Sequence, residues 1–231
     1  MRRVLHVVIG AALGAGLVGV APVAAGAQAG DPAAFCAARI EANTVEGKAA
    51  NMALMNKMVG VAPAGAVASM TALRDAYQKK GEKLFNGPEG FALLTPVDAW
   101  IYDNCPGTQV PVTAIDYEYQ GMPATLKSGV NKFKLTNTAP KEDHMIAITK
   151  LTPAAQGKDV EEILALPEKK QGKYVDEADG AFAFAAAGQT GYAPATLSPG
   201  TYMYVCFIPV GGKRNGAPHF AEGMYGSFTV S

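Results

Sequence analysis

Histidine, cysteine, tryptophan and net charge are all scarce in this 231-residue chain. It has three histidines, three cysteines, one tryptophan, and 20 basic against 20 acidic residues. Balanced charge gives no reason to expect nucleic acid or an anionic membrane surface as a partner. No G-x-S-x-G, H-E-x-x-H or phosphate-loop pattern occurs, which excludes the commonest serine-hydrolase, zinc-protease and nucleotide-binding arrangements. The chain therefore reads as a protein that is not an enzyme by itself. A hydrophobic content of 49% is that of a globular chain, not a disordered one.

What the chain has at its start is an export pattern. Met1-Arg2-Arg3 precedes an apolar run from Val4 to about Ala25, followed by Ala27-Gln28-Ala29. That is the basic, apolar and small-residue order of a secretory signal peptide, cut after Ala29. The glycines between Gly10 and Gly30 and the shortness of the apolar stretch argue against a membrane anchor. Residues 1–29 are thus expected to be removed, leaving no membrane span and a secreted or extracytoplasmic protein. Their loss removes Arg2 and Arg3 but no acid, so the mature chain carries two more acids than bases.

Residues 30–107 carry helical periodicity. Val67, Met70, Leu73, Tyr77 and Leu84 recur at spacings of three and four, with Arg74, Lys79, Lys80 and Lys83 on the other side. Pro63 suits a helix start, Gly87-Pro88 breaks the pattern, and a last short helix is expected over Pro96 to Asn104 with Trp100 turned inward. Cys36 and Cys105 bracket this segment. In an exported chain two such cysteines are expected to pair and close a small helical bundle.

After Pro106-Gly107 the period becomes that of strands. Runs are expected over Val112 to Tyr119, Lys132 to Leu135, Met145 to Leu151, Gly200 to Phe207 and Tyr225 to Val230. Short strands separated by Gly/Pro turns indicate a β-sandwich over residues 110–231. A long insertion is expected at about residues 153–199. It holds a short helix from Lys158 to Leu166, ended by Pro167, and a further strand over Ala181 to Ala187. The fold class is α+β and multi-domain, a disulfide-closed helical bundle followed by a sandwich.

Pairing Cys36 with Cys105 leaves Cys206 over, and it stands between the two histidines that lie outside the export segment, His144 and His219. Met224 follows. Two imidazoles, one thiolate and a weak axial thioether are the ligand set of a blue-copper electron-transfer site. Alternation puts Tyr202, Tyr204 and Cys206 on one strand face. The chain reads Pro199-Gly200-Thr201-Tyr202-Met203-Tyr204-Val205-Cys206, then Pro218-His219, then Gly223-Met224-Tyr225-Gly226 and a closing strand. This resembles the ligand loop of the plastocyanin-like cupredoxins. Upstream, Phe133-Lys134-Leu135-Thr136-Asn137, with His144 seven residues beyond Asn137, is similar to the strand and loop that carry that family's first histidine.

The resemblance implies a Greek-key sandwich holding one type-1-like copper on His144, Cys206, His219 and Met224. It also implies single-electron transfer or copper carriage, with a redox or copper-donor protein as partner. Two features depart from the family pattern. Twelve residues separate Cys206 from His219, with Val210 to Ala217 as an exposed excursion, and Lys141-Glu142-Asp143 sets a polar neighbourhood that would leave His144 exposed. The other reading is a metal-free cupredoxin-like module with a binding or structural role in the cell envelope. Met52, Met55 and Met58 share a helix face that could hold Cu(I), although methionine is more often a core filler.

Overall fold

The computed structural model describes residues 30–213 and 215–231. The expected signal peptide, residues 1–29, lies outside them. No described helix is long and apolar enough to cross a membrane.

Four helices open the described chain: α1 (Pro32–Glu41), α2 (Lys48–Val61), α3 (Val67–Lys80) and α4 (Pro88–Asn104). Pro32 in the first turn of α1 and the Asp31 carboxylate, which accepts the Ala34 N–H at 3.0 Å, start the first of them. The expected stripe faces inward, with Met70, Leu73, Tyr77 and Leu84 buried beside Phe35, Val97 and Ile101. Met58 is buried with them, while Met52 and Met55 pack half-buried against the same cluster. The methionine run therefore fills core.

Helix α4 departs from expectation. Gly87 breaks the pattern as expected, closing a short 3-10 helix over Gly81–Asn86, but it also opens α4, which starts at Pro88 and runs through Pro96. Proline suits a first turn because the N–H it lacks would have no intrahelical partner there. The cost of the interior proline is offset by Leu93, Leu94 and Trp100, which pack on the bundle core. The Cys36–Cys105 disulfide joins α1 to the end of α4. A buried ion pair that sequence reading missed crosses the same two helices. Arg39 Nε and Nη2 donate to Asp98 at 2.5 and 2.7 Å, and burial raises the Asp98 carboxyl in spite of the guanidinium.

The rest is a sandwich of two mixed sheets. Its strands are β1 (Thr108–Ile115), β2 (Glu118–Gln120), β3 (Thr125–Leu126), β4 (Gly129–Asn137), β5 (His144–Leu151), β6 (Val175–Ala185), β7 (Thr190–Leu197), β8 (Gly200–Val205) and β9 (Tyr225–Val230). One sheet runs β2-β1-β4-β7 and the other β3-β9-β8-β5-β6. Their inner faces meet through Val110, Val112, Phe133 and Leu135 on one side and Ile146, Ile148, Tyr202 and Phe228 on the other.

Three strand expectations change. The run Val112 to Tyr119 is two strands, because Asp116-Tyr117 forms a turn that folds β2 back on β1, with Thr113 opposite Gln120. Tyr117 takes φ +62°, a conformation that β-branched and aromatic residues rarely adopt. Strand β7 was not anticipated: its Ala- and Pro-containing sequence has little β-propensity, and Pro194 is tolerated because β7 is an edge strand. Of the expected insertion, only the part before β6, with α5 (Val160–Leu164) and α6 (Glu168–Gln171), stands outside the two sheets.

Both outer faces are covered. Helix α5 packs Val160 and Leu164 on Met203 and Val205 of β8. The helical segment covers the other sheet, where Lys132 of β4 is buried and its ammonium donates to the Tyr102 and Cys105 carbonyls at the end of α4. A lysine there complements the negative end of the helix. Asn43 Nδ2 adds a bond to the Pro194 carbonyl at 2.6 Å, and the Tyr102 and Tyr192 rings meet with centroids 5.5 Å apart, so the two parts are joined by polar and ring contacts.

Candidate metal centre

Strand β5 starts at His144, and β8 ends one residue before Cys206. Antiparallel pairing of these strands, with Ala147 opposite Val205, brings the two side chains to the same end of the sandwich. Tyr202, Tyr204 and Cys206 share the inner face as alternation required. The chain then leaves the sheet for the loop that carries His219.

That loop is long but closely tied. His219 N–H donates to the Ile208 carbonyl at 2.8 Å, and Phe220 N–H to that of Cys206 at 3.0 Å. Pro209 and Pro218 form a bridge, and Val210 N–H reaches the Ala217 carbonyl at 2.9 Å, which closes a small excursion whose residues 211–213 and 215 are exposed. A one-turn helix over His219–Glu222 ends at Gly223, whose φ of +104° requires glycine. Met224 N–H then bonds the His219 carbonyl at 3.1 Å, and the Met224 carbonyl accepts from Cys206 N–H at 3.0 Å. Met224 is fully buried, in the same core cluster as Cys206.

His144 Nδ1, His219 Nδ1 and Cys206 Sγ converge. The two nitrogens are 3.1 Å apart, and the sulfur lies 3.3 Å from His219 and 4.0 Å from His144. A point equidistant from three atoms so spaced lies about 2 Å from each, the first-shell length to nitrogen and slightly short for thiolate. All three side chains are fully buried. The exposure expected for His144 from its acidic neighbours is not found, because Asn137 folds the preceding loop inward. Its Nδ2 donates to the Glu142 carbonyl at 2.8 Å and the Ala185 carbonyl at 3.0 Å.

Burial sets the protonation of this cluster. It lowers His144 to about 4, helped by the nearby His219 ring, and it also lowers His219, against the pull of Glu142. Both imidazoles are therefore neutral near pH 7, the form that binds a metal. Burial likewise pushes the Cys206 thiol up to about 11, although N–H groups of Met145 and Ile208 favour the thiolate. An ion would have to displace that proton, as bound cations do. Lone pairs gathered at this spacing in a dry site fit a soft or borderline cation, and a thiolate with two imidazoles suits copper.

Sequence reading missed three neighbours. Tyr117 packs edge-on against the His219 ring, with centroids 5.0 Å apart. The Tyr119 hydroxyl donates to the Met145 carbonyl, and its ring meets Tyr204 edge-on at 5.5 Å. Glu142 faces His219 Nε2 at 3.4 Å. Only the turn at Asp116-Tyr117, had it been recognised, would have pointed to the two tyrosines.

No protein-family model matches the chain, and no curated protein sequence matches it. Among solved structures, similarity falls on the C-terminal half. Dithionite-reduced auracyanin from the photosynthetic bacterium Roseiflexus castenholzii is 23% identical, with 54% of this chain and 98% of that one covered and a TM-score of 0.37. Auracyanin A, a blue copper protein of Chloroflexus aurantiacus, is 17% identical over 52% and 99%, with a TM-score of 0.31. An azurin from Methylomonas sp. strain J is 17% identical over 55% and 99%, with a TM-score of 0.33.

Proposed function

We propose that this protein binds one copper ion through His144, Cys206 and His219, with Met224 supplying the thioether, and passes single electrons outside the cytoplasm. The observation that carries the reading is the convergence of three buried donors on one point about 2 Å from each. Copper held there would supply a one-electron couple.

The chain's own residues do the rest. The sandwich fixes His144 at the start of β5 and Cys206 just beyond the end of its partner β8, so their spacing is set by backbone hydrogen bonds and does not depend on the charge of an ion. Backbone bonds among Cys206, His219 and Met224 fix the loop in the same way. A rigid ligand set limits the rearrangement that accompanies a change of oxidation state. Ile146, Ile208, Met224 and Phe228 keep water away, and Tyr119 restrains the backbone at Met145, whose N–H meets the Cys206 sulfur. A ligand set of two imidazoles, a thiolate and a thioether suits an electron carrier working with a redox protein partner. The Cys36–Cys105 disulfide, together with the export pattern, supports a location beyond the cytoplasmic membrane.

The test is the visible spectrum of protein loaded with Cu(II). An intense thiolate-to-copper band is expected, and Cys206→Ser should abolish it because an alcohol is a poor soft ligand. A wild-type protein that binds no copper, or binds it without that band, would refute the reading. A metal-free binding module would then be the alternative.

A further inference from the structure

The His219 ring has two edges, and they meet different surroundings. Its Nδ1 edge faces His144 and Cys206, while its Nε2 edge faces a single carboxylate, Glu142 Oε2, at 3.4 Å. That distance is within ion-pair range and long for a hydrogen bond. The same carboxylate accepts the Gly211 N–H through Oε1 at 3.1 Å and Oε2 at 3.0 Å. Gly211 follows Val210 where the excursion leaves its closing bond, with φ +67°, which glycine adopts freely. Glu142 is itself anchored, because Asn137 holds its carbonyl. The buried Nε2 atoms of both histidines lack a hydrogen-bond partner, and of the two it is His219's that has a carboxylate within ion-pair range.

We propose that Glu142 is a positioning residue for the metal site, holding His219 in the tautomer protonated on Nε2 while it ties the loop at Gly211. A neutral imidazole carries one proton on either nitrogen. With the proton on Nε2, an N–H dipole points at the carboxylate; with the proton on Nδ1, a lone pair would face it. The first arrangement is favoured, and it leaves the Nδ1 lone pair turned toward the other donors. A carboxylate on the far nitrogen of a ligating histidine is a known way of fixing ring orientation and raising ligand basicity. Tyr117 meets the ring with its edge and competes for neither nitrogen. Asp116 and Asp143 also act on His219 by charge, favouring a proton on the ring without selecting its nitrogen. The inference rests on the copper reading for its purpose, but not for its test.

The tautomer can be read in metal-free protein by nitrogen-15 NMR of the histidine rings. His219 should be protonated on Nε2 in the wild type and in Glu142→Gln, whose amide oxygen still accepts. Glu142→Ala should give a mixture of tautomers and faster exchange of the Gly211 amide. On loading with Cu(II), Glu142→Gln should keep the visible band and raise the midpoint potential, since a negative charge beside the oxidised ion is lost. Glu142→Ala should weaken Cu(II) retention by about 10–100-fold. A wild-type His219 protonated on Nδ1 would overturn the proposal. So would an alanine variant with faster Gly211 exchange but an unchanged tautomer, because Glu142 would then only hold the loop. If the wild type binds no copper, the functional reading fails and the tautomer still decides the role of Glu142.

Discussion

Acid should loosen the metal-free protein before its carboxylates are titrated, and His144 sets the scale of the effect. Its imidazole is fully buried, and it titrates at about 4 in the folded chain against 6.5 for a free histidine. The folded state thus resists a proton that the unfolded chain accepts. The stability tied to this group is fully present above 6.5 and is lost as pH falls toward 4. At 1.36 kcal/mol per unit of separation, the loss is about 2 kcal/mol between pH 7 and 5 and about 3 kcal/mol by pH 4. His219 is shifted in the same direction and adds to it. Asp98, raised by burial, acts in the opposite sense at the acid end, so the measurement should be a difference. Chelator-treated wild type and His144→Leu would be unfolded with urea at several pH values, followed by near-ultraviolet circular dichroism of the tyrosine cluster. The wild type should lose about 2 kcal/mol more than the variant between pH 7 and 5. Equal slopes would show that His144 is not held neutral by burial, and the account of the site's protonation would be wrong.

Asp98→Ala leaves the Arg39 guanidinium buried without its bidentate partner and should cost about 3–5 kcal/mol in urea unfolding. A cost under about 1 kcal/mol would mean that water reaches the pair. Replacing both Cys36 and Cys105 by alanine opens a loop of 69 residues and should remove about 4 kcal/mol in the chain-entropy model, seen as a lower thermal midpoint of the helical segment. Copper binding, which does not involve that bridge, should survive. Lys132→Met removes a buried ammonium from the carbonyls that end α4 and should cost about 2 kcal/mol. Hydrogen exchange should then quicken at the α4 C-terminus while β5 and β8 stay protected.

The parts of this molecule that were legible in the sequence are those where a single local rule decides the outcome. Tyr202, Tyr204 and Cys206 had to share a face because strand side chains alternate, and the rarity of histidine left His144 and His219 as the candidate imidazoles. The illegible parts are those where tertiary contact overrides local preference. Strand β7 exists because β4 pairs with it along its length and Asn43 and Tyr102 cover it, not because Thr190–Leu197 favours a strand. Helix α4 runs through Pro96 because its apolar side packs in the bundle. Lys132 of β4 carries a charge that local sequence gives no reason to bury; it is buried because a helix end lies over that face. Glu142 is the sharpest case. Its acidic neighbourhood argued for an exposed His144, yet the same carboxylate reaches across to Gly211 and the ring of His219, 69 and 77 positions away in the chain. No periodicity encodes a contact of that range. The donors themselves could be read from residue type and order, whereas the groups that orient them depend on which loops the fold brings together.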